Sequence, residues 1–210
     1  MARRKPRSAA TYRRRGPVRE SYDLVLIVCE GEKTEPEYFT GLKQAYSLSS
    51  ANIRISHGDG SDPVSVVKYA LERGRDFDRV FCVFDRDGHQ NYQQALDKIA
   101  GSSMGRKGKL EAITSVPCFE IWILLHFGYS TAPFVKAGYK SACDKVVDAI
   151  HVHLPAYHKA FGGVFEHLQP RVNDALNHGN QLAQYNQDTG SENPATRVHE
   201  LVKVLRDLKK

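Results

Sequence analysis

LVLIVCEGEKTEPEYF, residues 24–39, decides the fold. Its opening, Leu24–Cys29, is a continuous apolar run rich in β-branched residues. That is the pattern of a strand covered on both faces inside a parallel sheet, not of one alternating between core and water. The character changes at Glu30-Gly31. Thr34 and Glu37 have capping-box spacing and Pro36 suits a first helical turn, so a helix is expected from Glu35 to about Tyr46. A buried strand that runs into a helix is the opening of an α/β unit.

The same grammar continues downstream. Asn52–Ser56 alternates like a short strand, and Asp62 can cap a helix opened by Pro63 and running to about Gly74. Arg79–Phe84 (RVFCVF) is a second fully buried strand, ended by DRDG, and Asn91–Ala100 reads as helix. Residues 101–109, GSSMGRKGK, are expected to form a flexible basic loop. Leu110–Ser115 follows as a strand, and Pro117 opens an apolar helix through about Phe127. The alternation predicts an α/β domain over residues 21–130, a mostly parallel sheet with helices on both faces. Beyond residue 130 the pattern is mainly helical: Ser141–His153, Val164–Gln184 and Pro194–Lys209, with a polar loop at Asn186–Asn193. This stretch, residues 131–210, is expected to be a helical extension packed on the α/β domain. No internal repeat is visible.

The chain has 210 residues, 41% of them hydrophobic, ample for one core. No apolar run approaches the roughly 20 residues of a membrane span, and the polar, basic start does not resemble a secretory signal. The expected location is the cytoplasm. Cys29, Cys82, Cys118 and Cys143 lack C-x-x-C spacing and read as free buried thiols. The net charge of +6 is unevenly spread: Arg3, Arg4, Lys5, Arg7, Arg13, Arg14, Arg15 and Arg19 meet no acid within residues 1–19. Without those eight, 22 basic residues face 24 acidic ones. The basicity belongs to a tail over residues 1–20, expected to be disordered alone. It suits phosphate contact by counterion release, or serves only as a solubilising tail.

In open α/β sheets, functional groups gather at the carboxyl ends of strands. Glu30 follows the first buried strand, and Asp85-Arg86-Asp87-Gly88 follows the second. Side chains at i and i+2 of an extended stretch share a face, so Asp85 and Asp87 can converge on one ion. Three carboxylates on neighbouring strand ends suit Mg²⁺ or Mn²⁺, which take oxygen ligands plus water and substrate phosphate. A spacing of this kind also arises by chance, and acids at strand ends commonly cap helices or meet solvent.

Four strings carry more information: VLIVCEGEKTEPEYFTGLK, VFCVFDRDGH, SVPCFEIWILLHF and NPATRVHELV. Their order and separations, from residue 22 to about 205, resemble the RloB-like family of bacterial proteins. RloB-like proteins are similar to Toprim domains, the Rossmannoid fold of topoisomerases, primases and OLD-type nucleases. The resemblance implies Glu30 as the Toprim glutamate and Asp85 and Asp87 as the metal-binding pair. It also implies an AAA- or ABC-type ATPase partner in phage-defence operons, where the Toprim-like protein is thought to be the nuclease effector. At 210 residues, neither the tyrosine domain of a topoisomerase nor the further modules of a primase is expected. A lone Toprim-like nuclease subunit is the expectation.

Other residues have two readings each. Glu120, in an apolar helix start, is either satisfied by helix-start amides or acts beside Asp85 as a ligand or base; the family string includes this glutamate. Lys33 is a phosphate contact or a solvated lysine, and GEKTE lacks the spacing of a P-loop. His126 reads as a core histidine rather than a general acid. His151, His153 and His158 lack zinc spacing. Lys159 and Arg171 face substrate only if the helical part covers the site; Arg86 is expected to point away from it. Arg106, Lys107 and Lys109 suit backbone contact without sequence readout. Two function classes follow. One is a metal-dependent nuclease acting on DNA or RNA, with no membrane association and as a possible homo-oligomer. The other is a non-catalytic scaffold or regulatory subunit that binds an ATPase or nucleic acid.

Overall fold

The computed structural model describes residues 23–48, 52–86 and 88–208. In chain order the elements are β1 (Val25–Cys29), α1 (Thr34–Ala45), β2 (Ile53–His57), α2 (Pro63–Arg73), β3 (Arg79–Asp85), α3 (Tyr92–Gly101) and α4 (Ser103–Arg106). Then come β4 (Leu110–Val116), α5 (Glu120–Leu124), α6 (Ala142–His151), α7 (Val164–Leu168), α8 (Val172–Thr189), β5 (Ala195–Thr196) and α9 (Val198–Asp207). The sheet order is β2-β1-β3-β4-β5. All neighbours are parallel except β4 and β5, which are antiparallel. This is an α/β Rossmannoid architecture, as expected.

Both faces of β1 are buried, which explains its unbroken apolar run. Leu26 and Val28 point to a layer built by α2 and α3, with Val66, Val67, Ala70, Ala95 and Ile99. Val25, Ile27 and Cys29 point to the other layer, which holds Tyr38, Phe39, Trp122, Phe165, Leu201 and Leu205. The residues after 130 therefore share one continuous core with the sheet. Phe165 of α7 is edge-on to Tyr38 of α1, with centroids 5.2 Å apart. A Cβ added at Gly41 would lie 2.6 Å from the Phe165 Cβ, so α1 and α7 meet almost backbone to side chain.

Several local expectations are corrected. The Thr34–Glu37 capping box does not form: α1 begins at Thr34, its cap Lys33 makes no side-chain cap bond, and the Thr34 hydroxyl accepts the Ala160 amide at 3.2 Å instead. Asp62 does cap α2, accepting from Val64 and Ser65. Residues 101–109 are not all loop: Ser102 accepts the Gly105 amide at 2.8 Å and starts the short α4. The apolar helix expected from Pro117 is shorter: β4 continues through Val116, and the α-helix opens only at Glu120. Past Leu124 it tightens, with the His126 and Phe127 amides donating to carbonyls three residues back.

Pro170 splits the long helix expected over 164–184 into α7, a 3₁₀ turn at Gln169–Arg171, and α8. The second piece runs on to Thr189 and takes up part of the expected polar loop. It stops where Gly190 turns left-handed at φ 71°. Residues 195–196 are strand, not helix. Thr196 pairs with Ser115, and their hydroxyls lie 3.0 Å apart. The basic tail, residues 1–20, lies outside the described residues.

Gly41→Ala is expected to cost about 1–3 kcal/mol of stability by overpacking α1 against α7. Gly101→Ala, where an added Cβ meets nothing within 4 Å, should be neutral or gain up to about 1 kcal/mol. Urea unfolding of the two variants checks the contrast, and equal effects would contradict the packing argument.

Candidate active site at the tips of β1 and β3

Glu30 is the first residue past β1, and its amide donates to the Val83 carbonyl of β3 at 2.9 Å. Its side chain then turns over the tip of β3. Oε2 accepts the Asp85 amide at 2.9 Å, and Oε1 lies 2.8 Å from Nε2 of His89. Asp85 is the last residue of β3, in register with Ser115 of β4. Glu120, the first residue of α5, is only 3% exposed. Its Oε1 accepts from the Tyr157 hydroxyl at 3.4 Å and lies 4.0 Å from Nζ of Lys159.

A fourth acid, Glu35, is 7% exposed. A Cβ on Gly31 would come within 2.2 Å of its Oε2, so the carboxyl rests directly on the glycine backbone. Glu30, Glu35, Asp85, His89, Glu120 and Lys159 line an open cleft of about 470 Å³, with Lys33 and Thr34 on its wall. One side of the rim is a strap from the helical region. Ala160 adopts a left-handed φ of 68°, and its amide is held by Thr34.

Glu30, Glu35 and Asp85 hold their protons more tightly than ordinary carboxyls. Burial holds Asp85 well above its ordinary value, and Glu35, Glu120 and Glu30 push the same way. Burial pushes Glu35 up to about 7, reinforced by Glu120 and Glu30, against the pull of the Glu35 and Gly31 amides. Glu30 is raised by burial, offset by the Asp85 amide and His89. Among the described residues, the ion pairs that reach this cluster come from His89 and from the largely exposed Lys159. Carboxyl groups outnumber the basic groups that reach them.

Among the described residues, no three His, Cys, Asp or Glu side chains form a finished metal-ligand set. Mg²⁺ and Mn²⁺ require less, since a hard ion of the Mg²⁺ type keeps several waters and is held through one or two carboxylates plus substrate phosphate. An all-oxygen, under-neutralised donor set at an open cleft fits such an ion. Asp87, the remaining expected ligand, lies outside the described residues.

Of the residues singled out in the sequence, Glu30, Asp85, Glu120, Lys33 and Lys159 meet in this cleft. His126 does not: it is 1% exposed, bonded to the Trp122 carbonyl at 2.9 Å, and burial lowers it to about 4. Arg171 lies over the Phe127 ring at 5.4 Å, which gives it a packing role rather than the substrate-facing one. His153 is stacked on the same ring at 5.0 Å, while His151 meets the Tyr157 carbonyl. Arg86 points away from the carboxylates and pairs with Glu192. Glu35, His89 and Tyr157 were not singled out. Glu35 reads as an ordinary first-turn acid until the helix start is known, and His89 stands just past the DRDG turn.

The sequence model of the RloB-like protein family matches residues 25–205, and the chain belongs to that family. No curated protein and no solved structure matches the chain.

Folded Glu35 keeps a proton that the unfolded chain, with its ordinary value of 4.5, has already released. Its contribution is full below about pH 4.5 and is lost as pH rises to about 7, amounting to about 3 kcal/mol. In metal-free buffer the wild-type Tm should fall between pH 5 and 8, and Glu35→Gln should flatten that fall. Parallel curves would show that Glu35 is not the group responsible.

Proposed function

We propose that this RloB-like protein is a Mg²⁺- or Mn²⁺-dependent, Toprim-like nuclease that hydrolyses phosphodiester bonds of nucleic acid. In this reading it serves as a phage-defence effector directed by an AAA- or ABC-type ATPase. The observation that carries the reading is the bond from Glu30 to the Asp85 amide. It gathers carboxylates from two strand tips at one cleft beside Glu35 and Glu120.

Asp85, Asp87 and Glu30 are the residues that would hold the ion, with Glu30 alternatively the base for the attacking water. The ion supplies polarisation of the phosphoryl group and a water of lowered pKa. Lys159, held over the cleft by its strap, and Lys33 at the start of α1 meet the phosphate oxygens that four carboxylates alone would repel. Tyr157, bonded to Glu120, fixes that acid's orientation. The tail arginines grip the backbone without reading sequence. Arg106, Lys107 and Lys109 do not share this role at the cleft, because they precede β4 at the opposite end of the sheet, where Lys109 donates to the Arg75 carbonyl.

One observation favours the scaffold reading. Both oxygens of Glu30 already have protein partners, as a purely structural staple would.

Incubation of the purified protein with Mg²⁺ or Mn²⁺ and mixed DNA and RNA pools, with and without a candidate ATPase, separates the two. Glu30→Gln and Asp85→Asn are expected to lose cleavage by about 100-fold or more while keeping their circular dichroism spectrum. A wild type that cuts nothing, or variants that cut like wild type, would leave the scaffold.

A further inference from the structure

We propose that a second cavity beside the carboxylates receives a nucleobase, so that the protein takes its nucleic acid as a single strand and not as a closed duplex. This rests on the phosphodiester reading above. The cavity, about 440 Å³, is lined by Arg86, Val116, Pro117, Phe134, Ala142 and Asn193, among others. Its size falls in the range of roughly 300–1,000 Å³ typical of small-ligand sites.

Three pairs of residues close in sequence line the two sides. Asp85 faces the cleft and Arg86 the cavity; Phe119 faces the cleft and Pro117 the cavity; Cys143 faces the cleft and Ala142 the cavity. The cleft and the cavity are thus lined by the same short stretches of chain, and in this proposal a strand with its phosphate at the carboxylates has its adjoining nucleotide in reach of the second cavity.

The lining suits a base and not a phosphate. Its floor is apolar, from Val116, Pro117 and Ala142, with the half-buried Phe134 ring on one wall. Its one cation, Arg86, is already paired with Glu192, so the cavity offers an anion little net charge. The wall is fixed beforehand. Oδ1 of Asn193 accepts the Phe134 amide at 3.1 Å, and Nδ2 donates to the Phe134 carbonyl at 2.7 Å. A base presents flat apolar faces that stack on an aromatic ring whatever its identity. Inside a duplex the same faces are stacked away and reachable only by flipping the base out.

The test measures fluorescence anisotropy of a labelled single strand of about 12 nucleotides, the same strand with abasic interior residues, and its blunt duplex. Ca²⁺ is the bound ion, and cleavage in Mg²⁺ is followed on parallel samples. The base-bearing strand is expected to bind about tenfold tighter than the abasic strand or the duplex. Ala142→Phe fills the cavity from a position that does not line the carboxylate cleft and should bring that ratio near one while the abasic strand's affinity is unchanged. Ser191→Trp, on the loop before β5, provides a second filling variant should the first fail to fold.

Equal affinity for base-bearing and abasic strands in wild type, or a ratio that survives both filled variants, would overturn the base pocket. If those strands are still cut, the phosphodiester reading stands. Neither binding nor cleavage of any strand would remove both.

Discussion

The Glu30 carboxylate, accepting the Asp85 amide, is the contact on which the candidate site depends. Parallel strands stop pairing at their tips, and the last amides there need other acceptors. Here the acceptor is the side chain of the first residue beyond the neighbouring strand. That use fixes where Glu30 points and how far Asp85 extends past the sheet. With Gly31 immediately following, the chain turns tightly enough for Glu35 to come back onto the same spot. One hydrogen bond, one glycine and one helix start thus place three of the four acids.

Concentrating those acids runs against stability. Glu30, Glu35 and Asp85 are raised by burial and by neighbouring acids, and among the described residues the ion pairs that reach the cluster come from His89 and Lys159 at the rim. Strain of this kind persists only where the surrounding structure over-determines it. Two apolar layers on either side of β1 supply that constraint, and the layer under the site holds Phe119, Ile121 and Trp122, the residues flanking Glu120. Local conflict with global support is a pattern expected of functional sites.

Much of the sheet was legible in the sequence for a simple reason. β1 and β3 are buried on both faces, and unbroken apolar runs of that length are hard to place elsewhere. Asp62 before Pro63 was equally readable because a cap is a local event. What the sequence hid was long-range. Thr34 looks like a capping residue until Ala160, far along the chain, supplies the amide it actually meets. Residues 195–196 are too few to alternate, so β5 shows itself only through its pairing with β4. Glu35 and His89 carry no signature, since what makes each of interest is the company of acids from other segments. Glu30, Asp85 and Glu120 stood out because each follows or opens an apolar run.

The absence of a side chain at Gly41 has a mechanical consequence. Phe165 lies against the bare backbone of α1, with no flexible group between them to absorb a shift. The same helix carries Glu35 about one and two-thirds turns earlier, near its start. Displacement of α7 is therefore passed into α1 as rigid-body motion, and the helix acts as a lever whose short arm ends among the carboxylates. Pressure on α7 would be felt as a change in spacing at the cleft.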